Sequence, residues 1–189
     1  APPPRLLANN PNATLRLNPA LREVNAPPDE IAPFSSQGPA IGTFGIKPDL
    51  VAVGTDLYMA AQRVDPSGSL FSSTGYLVAD GTSFSAPLVA GAAALLRQRY
   101  PNFSPAQIKS LLTSTADRGV VDFDNNGRSG PAAVTAMGAG KLNAARSLGP
   151  VLTFEPSAAE FGNVTSGSLP SGGILLRNTG NAVANISTR

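Results

Sequence analysis

Ser83 is the residue of this chain best placed to do chemistry. It stands in "ADGTSFSAPLVAGAAALL", which begins at Ala79 and opens a run of small apolar residues on a glycine turn. A serine in the first turn of a helix lies at the positive end of the helix dipole, beside backbone N–H groups that have no intrahelical acceptor. Such a site suits an oxyanion, so a nucleophilic Ser83 could use its own amide as a donor. Gly81 permits close approach of another segment, and the small residues that follow let the helix pack deeply. A plainer role fits the same residues: Thr82 or Ser83 could simply be a helix N-cap, the commonest task for such side chains. A hydroxyl also needs a base to take its proton, and the chain contains no histidine. Of the lysines, Lys47, Lys109 and Lys141, the last two fall in later helices. No Ser–Lys spacing singles any of them out.

A second cluster lies at "DFDNNG", Asp122 to Gly127. Asp122, Asp124 and Asn126 place oxygen ligands at alternate positions with a glycine sixth, as at the start of a calcium loop. The twelfth position is Ala133 rather than Glu, which excludes a complete EF-hand, and a polar turn between helices is the competing reading. With neither cysteine nor histidine, a disulfide framework and a typical zinc site are excluded. A net charge of +2 without a basic cluster gives no reason to expect nucleic acid as a partner. The longest apolar run, Leu88 to Leu96, is too short to span a bilayer.

Several elements must position these residues. "KPDLVAVG" predicts a strand over Leu50 to Val53 closed by Gly54, and "YLVAD" a second extended segment leading to Gly81. From Thr82 the pattern predicts a helix buried on nearly every side, emerging at "RQRY". "SPAQ" supplies an N-cap at Ser104, proline at the first helical position and Gln107 to complete a capping box. Ile108, Leu111, Leu112 and Thr115 then define an amphipathic helix. "VDFDNNGRSG" reads as a loop, and "GAGKLNAARSLG" as a short helix capped by Gly149. Beyond Pro150 short β-type runs alternate with Gly, Ser and Asn turns, the pattern of an antiparallel sandwich with three or four strands.

Taken in order, these stretches resemble the subtilisin-like serine proteases. "DGTSFSAPLVAG" is similar to the serine motif G-T-S-x-x-x-P-x-V-A-G, matching at Gly81, Thr82, Ser83, Pro87, Val89, Ala90 and Gly91. "APFSSQGP" resembles F-S-S-x-G-P, and "KPDLVAVG" resembles K-P-D-[IV]-x-A-P-G with Val53 in place of the proline. "SPAQIKSLLTSTA" resembles the helix after the serine helix, and "GAGKLNAARSL" the closing G-x-G-x-[VL]-[DN]-x-x-x-A piece. Leu88 replaces a frequent, non-catalytic histidine.

The resemblance implies an α/β fold: the carboxy-terminal part of a subtilisin-like parallel-sheet domain over residues 1–149, then the start of an immunoglobulin-like β-sandwich over 150–189. It implies Ser83 as nucleophile and oxyanion-hole donor, Gly81, Thr82 and Pro87 as turn support, a polypeptide substrate, no required cofactor, and secretion in the manner of bacterial enzymes. The family's Asp, His and oxyanion Asn motifs have no counterpart here. "ANNPNA" resembles a stretch just after that Asn, leaving Asn9 as its only fallback. The expectation is a piece that needs the rest of its catalytic domain, and is inactive alone. Two rivals stay open: a pseudoenzyme or binding module on the same scaffold, and a sedolisin-like Ser-Glu-Asp peptidase, whose S-G-T-S-x-x-x-P motif is matched except for Asp80.

Overall fold

A computed structural model describes residues 29–123, 128–149, 152–164, 167, 170–180 and 183–186. In chain order these form β1 (Leu57–Ala60), β2 (Tyr76–Ala79), α1 (Thr82–Arg99), α2 (Pro105–Ser114), β3 (Val121–Phe123), β4 (Ser129–Pro131), α3 (Val134–Met137), α4 (Ala144–Ser147), β5 (Leu152–Glu155) and β6 (Leu175–Asn178).

The core is built where two helices meet. Ala92 and Leu96 of α1 pack against Ile108, Leu111 and Leu112 of α2, with Leu96 and Leu111 wholly buried. Leu50, Leu142 and Leu148 close over the same cluster. The α2 start follows the sequence closely. Ser104 Oγ accepts the Gln107 N–H at 3.2 Å, and Gln107 Oε1 accepts the Ser104 N–H at 2.9 Å. The end of α1 is tied down by Tyr100, whose hydroxyl donates to the Leu148 carbonyl at 2.9 Å and whose ring stacks on Phe103 at 4.7 Å. A second small cluster joins Ile31, Val120, Ala132 and Ala136.

Three sequence expectations are corrected. First, among the described residues the sheets are three antiparallel pairs, β1–β2, β3–β4 and β5–β6, with no extended parallel sheet. Parallel pairing survives only as single bridges, Glu30 to Val121, Val51 to Lys141 and Gln62 to Phe71. The expected strand at Leu50–Val53 is therefore only the Val51 bridge: a parallel strand needs a neighbour along its whole length, and Val51 finds one for a single residue. Second, α1 is not buried all round. Only Ala92 and Leu96 are buried, while Ala86, Leu88, Ala90, Gly91, Ala94 and Leu95 are exposed, because α2 covers one flank alone. Third, the stretch around Asp122 carries β3 and β4 rather than a loop alone, so strands and not helices flank residues 124–127, which lie outside the described set. Beyond residue 150 the described residues form one hairpin, β5–β6. The closing helix α4 is a single turn whose N-cap is Asn143, accepting the Arg146 N–H at 2.9 Å; Leu148 is its C-cap, and Gly149 follows it with its N–H donated to the Arg146 carbonyl at 3.2 Å.

Candidate active site

The segments singled out in the sequence converge at two junctions. At the first, Lys141 is paired on one side with Val51 in parallel and on the other with Asp117 in antiparallel. The Val51 N–H donates to the Gly140 carbonyl at 2.9 Å, and the Leu142 N–H to the Val51 carbonyl at 2.7 Å. Thus "KPDLVAVG" and "GAGKL" lie side by side. Asp117 adds side-chain bonds from Asn143 Nδ2 at 2.9 Å and Arg146 Nη1 at 2.8 Å. The Asn143 amide and the Arg146 guanidinium hold the Asp117 carboxyl below its ordinary range.

At the second junction, the turn after Val53 is fastened to the turn that launches α1. The Gly81 N–H donates to the Gly54 carbonyl at 2.7 Å, and the Asp56 N–H to Asp80 Oδ1 at 2.7 Å. Gly54 is required by proximity: a Cβ there would sit 2.4 Å from Ser85 Oγ and 3.2 Å from the Gly81 carbonyl. The sequence hints at this contact through the glycine ending "KPDLVAVG" and through Gly81, which permits close approach of another segment. Nothing local in the sequence marks Asp80 or Ser85 as part of it, the Asp80 bond spanning 24 residues.

This junction removes one of the two roles weighed for Ser83, that of helix N-cap. Gly81 occupies the N-cap position and no side chain caps the helix. Thr82 and Ser83 are the first and second helical residues, so neither is an N-cap. The first-turn amides of Thr82 and Ser83 are among those a helix leaves without an intrahelical acceptor, whereas the Phe84 N–H is taken by the Gly81 carbonyl at 3.0 Å. Pro87 lies one helical turn further on, inside α1. With no N–H, it cannot donate to the carbonyl four residues earlier, which is that of Ser83. The Ser83 side chain is exposed, and no described residue hydrogen-bonds to it.

A cavity of about 560 Å³ adjoins the junction, walled by Phe34, Gly54, Asp56, Asp80, Thr82 and Ser85 among others. Phe34 and Ser35 of "FSSQGP" thereby meet the serine motif across one space. Lys141 also reaches this wall, but its ammonium is paired with Asp29. Lys47 and Lys109 share Asp49, at 2.8 and 2.5 Å. Burial pushes the Asp49 carboxyl up, but hydrogen bonds and charge from Lys109 and Lys47 outweigh it and bring the group below its ordinary range. All three lysines are thus committed to carboxylates, and none is hydrogen-bonded to Ser83.

The remaining sequence candidates are placed as follows. Asp122 accepts the Gln37 side-chain amide at 3.2 Å on one oxygen and the Phe123 N–H at 2.8 Å on the other. Asp124, Asn126 and Asn9 lie outside the described residues. No group of three or more acidic residues able to hold a metal occurs among the described residues, and no described helix is long and apolar enough to cross a membrane.

Comparison with known proteins places the chain in a family. Residues 13–140 match the model of the peptidase S8 subtilase family. The chain belongs to the subtilase family of serine peptidases. Among curated relatives, the subtilisin-like protease SBT1.2 of Arabidopsis thaliana is 38% identical over 141 residues, covering 70% of this chain and 18% of that protein. The subtilisin-like protease SBT3 of Solanum lycopersicum is 33% identical over 150 residues, covering 73% and 19%. The CO(2)-response secreted protease of Arabidopsis thaliana is 33% identical over 162 residues, covering 82% and 20%. Of solved structures, the serine protease MycP1 of the type VII (ESX-1) secretion system is 30% identical over 51% of this chain and 23% of its own, with a TM-score of 0.34. The chain spans about a fifth of the length of the curated relatives it matches. These relatives are subtilisin-like rather than sedolisin-like. The curated ones are plant proteins, which lends nothing to the expected bacterial source.

Proposed function

We propose that this subtilase segment carries the nucleophile of a serine endopeptidase, with Ser83 attacking polypeptide carbonyls to form an acyl-enzyme. The observation that carries the reading is the launch of α1: glycine at the N-cap, Ser83 exposed in the first turn, and its amide left without an intrahelical acceptor. In the forward step Ser83 Oγ bonds to the scissile carbonyl carbon while the Ser83 N–H supports the oxyanion. The proton must pass to a base and on to the leaving amine, and water then releases the acyl group. No histidine in the sequence can take that proton, so the base, its orienting carboxylate and the oxyanion Asn belong to the upstream part of the same catalytic domain. Removing one member of such a unit lowers turnover by roughly 10⁴ to 10⁶, so the chain alone is inactive. The reading needs no cofactor, and a calcium ion at Asp122, Asp124 and Asn126 is no part of it. The secreted relative supports an extracellular route.

A fluorophosphonate probe tests this. The 189-residue chain alone should label weakly. Mixed with a polypeptide carrying the family's Asp and His motifs, it should label at Ser83 and lose the label in Ser83→Ala. Strong labelling of the isolated chain would refute the dependence on an outside base. The lack of any histidine also favours a second reading, a non-catalytic scaffold. That reading requires that the longer polypeptide from which the segment comes, assayed intact, leaves Ser83 unlabelled.

A further inference from the structure

We infer that residues 152–162 form a built-in clamp on the helix pair that carries the nucleophile, so that the working unit does not end near residue 149. The surface is the flank of α2 facing away from α1, and its occupant is this chain's own β5. Ser110 projects there from α2 and is wholly buried, as is Thr153 of β5. The Phe154 N–H donates to Ser110 Oγ at 2.7 Å, a bond between residues 44 apart in sequence. A serine in a helix interior gains little there by propensity, but at this position it gives a strand outside the helix its hydrogen-bond acceptor.

The segment then continues across the body. Ser157 and Ala158 face Thr113, Ile46 and Asp49 across a cavity of about 140 Å³. Further on, a Cβ on Gly45 would lie 2.5 Å from Glu160 Oε2, and one on Gly162 would lie 3.3 Å from the Thr43 carbonyl. Strand, turn and loop thus run from α2 over the 43–49 segment, which leads directly to Val51 and the junction beneath Ser83. A flexible spacer would bury no side chain completely and would share no hydrogen bond with a helix interior. β5 does both.

One detail supplies a test with opposite signs. Thr153 Oγ1 is buried without a hydrogen-bond partner among the described residues. If the clamp holds in solution, Thr153→Val removes an unsatisfied hydroxyl and raises Tm or leaves it unchanged, whereas Ser110→Ala strands the Phe154 N–H and lowers Tm by about 3–8 °C. In Ser110→Ala, amide exchange across residues 105–114 should quicken about tenfold. A chain ending at Gly149 should show the same loosening of α2, reversed by a synthetic peptide of residues 150–180 added in trans. The inference is overturned if Ser110→Ala leaves both Tm and the exchange of 105–114 unchanged, or if Thr153→Val destabilises as much as Ser110→Ala. No readout depends on Ser83 chemistry, so this result stands apart from that of the phosphonate labelling.

Discussion

The fastening of Gly54 to the start of α1 can be tested by a cycle of two substitutions. Gly54→Ala introduces a methyl group 2.4 Å from Ser85 Oγ, far inside contact distance, with the Gly81 carbonyl next at 3.2 Å. The backbone itself does not object, since Gly54 is not among the glycines held at positive φ. Two effects therefore compete. Restricting the unfolded chain favours alanine by about 0.4–1 kcal/mol, while overpacking costs about 1–3 kcal/mol. The clash should win, giving a net loss of roughly 1–2 kcal/mol in urea unfolding. Ser85 is half-buried, and its hydroxyl makes no hydrogen bond with a described residue, so Ser85→Ala alone should change stability by less than about 0.5 kcal/mol. In the double variant the nearest clashing atom is gone. Stability should return to the parent value within about 0.5 kcal/mol, a coupling of roughly 1–2 kcal/mol between the two sites. Additive effects, or a Gly54→Ala variant as stable as the parent, would show that the 54–56 turn does not press on the serine turn.

Three further outcomes follow from the core, the cap and the charges. Leu111→Ala, at a fully buried position in the cluster where α2 meets α1, should cost about 2–5 kcal/mol by urea unfolding. Ser104→Ala removes the side-chain acceptor for Gln107 N–H and should cost about 0.5–2 kcal/mol, with Gln107→Ala costing less in the same assay because only the reciprocal bond is lost. Asp49 has its carboxyl below the ordinary 3.8. Its ion pairs therefore stabilise fully above that value, and the contribution fades as pH falls through the depressed native one. In unfolding curves taken between about pH 5 and 2, Asp49→Asn should flatten the acid limb. Because Asp49 is more than a third exposed, the change should be small and should shrink further in high salt.

What could be read from the sequence was local. The capping box at Ser104 and Gln107, the apolar face of α2 and the extended approach of β2 to Gly81 each depend on residues within a few positions, and each is present. The serine motif was recognisable for the same reason, although only the structure puts Gly81 at the N-cap and so removes the capping role from Thr82 and Ser83. Features formed across the chain were missed. The Asp80 bond to Asp56, the Asp117 link to Asn143 and Arg146, and the seat of Phe154 on Ser110 all join residues far apart. Ala and Gly on every side of α1 describe a helix that tolerates close neighbours, not one that has them, so the pattern exceeds the burial of Ala92 and Leu96 that the structure shows. A strand at Leu50–Val53 was expected from composition, but a strand is a pairing as much as a sequence, and Val51 alone is paired there.

The bare flank of α1 has a practical side. Gly91 has nothing within 4 Å of where a Cβ would stand, and alanine is favoured over glycine in a helix interior by about 1 kcal/mol. Within these residues, then, Gly91→Ala should be harmless or mildly beneficial. Only a body seated against that flank at backbone distance would resist it. The substitution is silent in solitude and disruptive in company, which makes Gly91 a gauge of whether α1 has been covered.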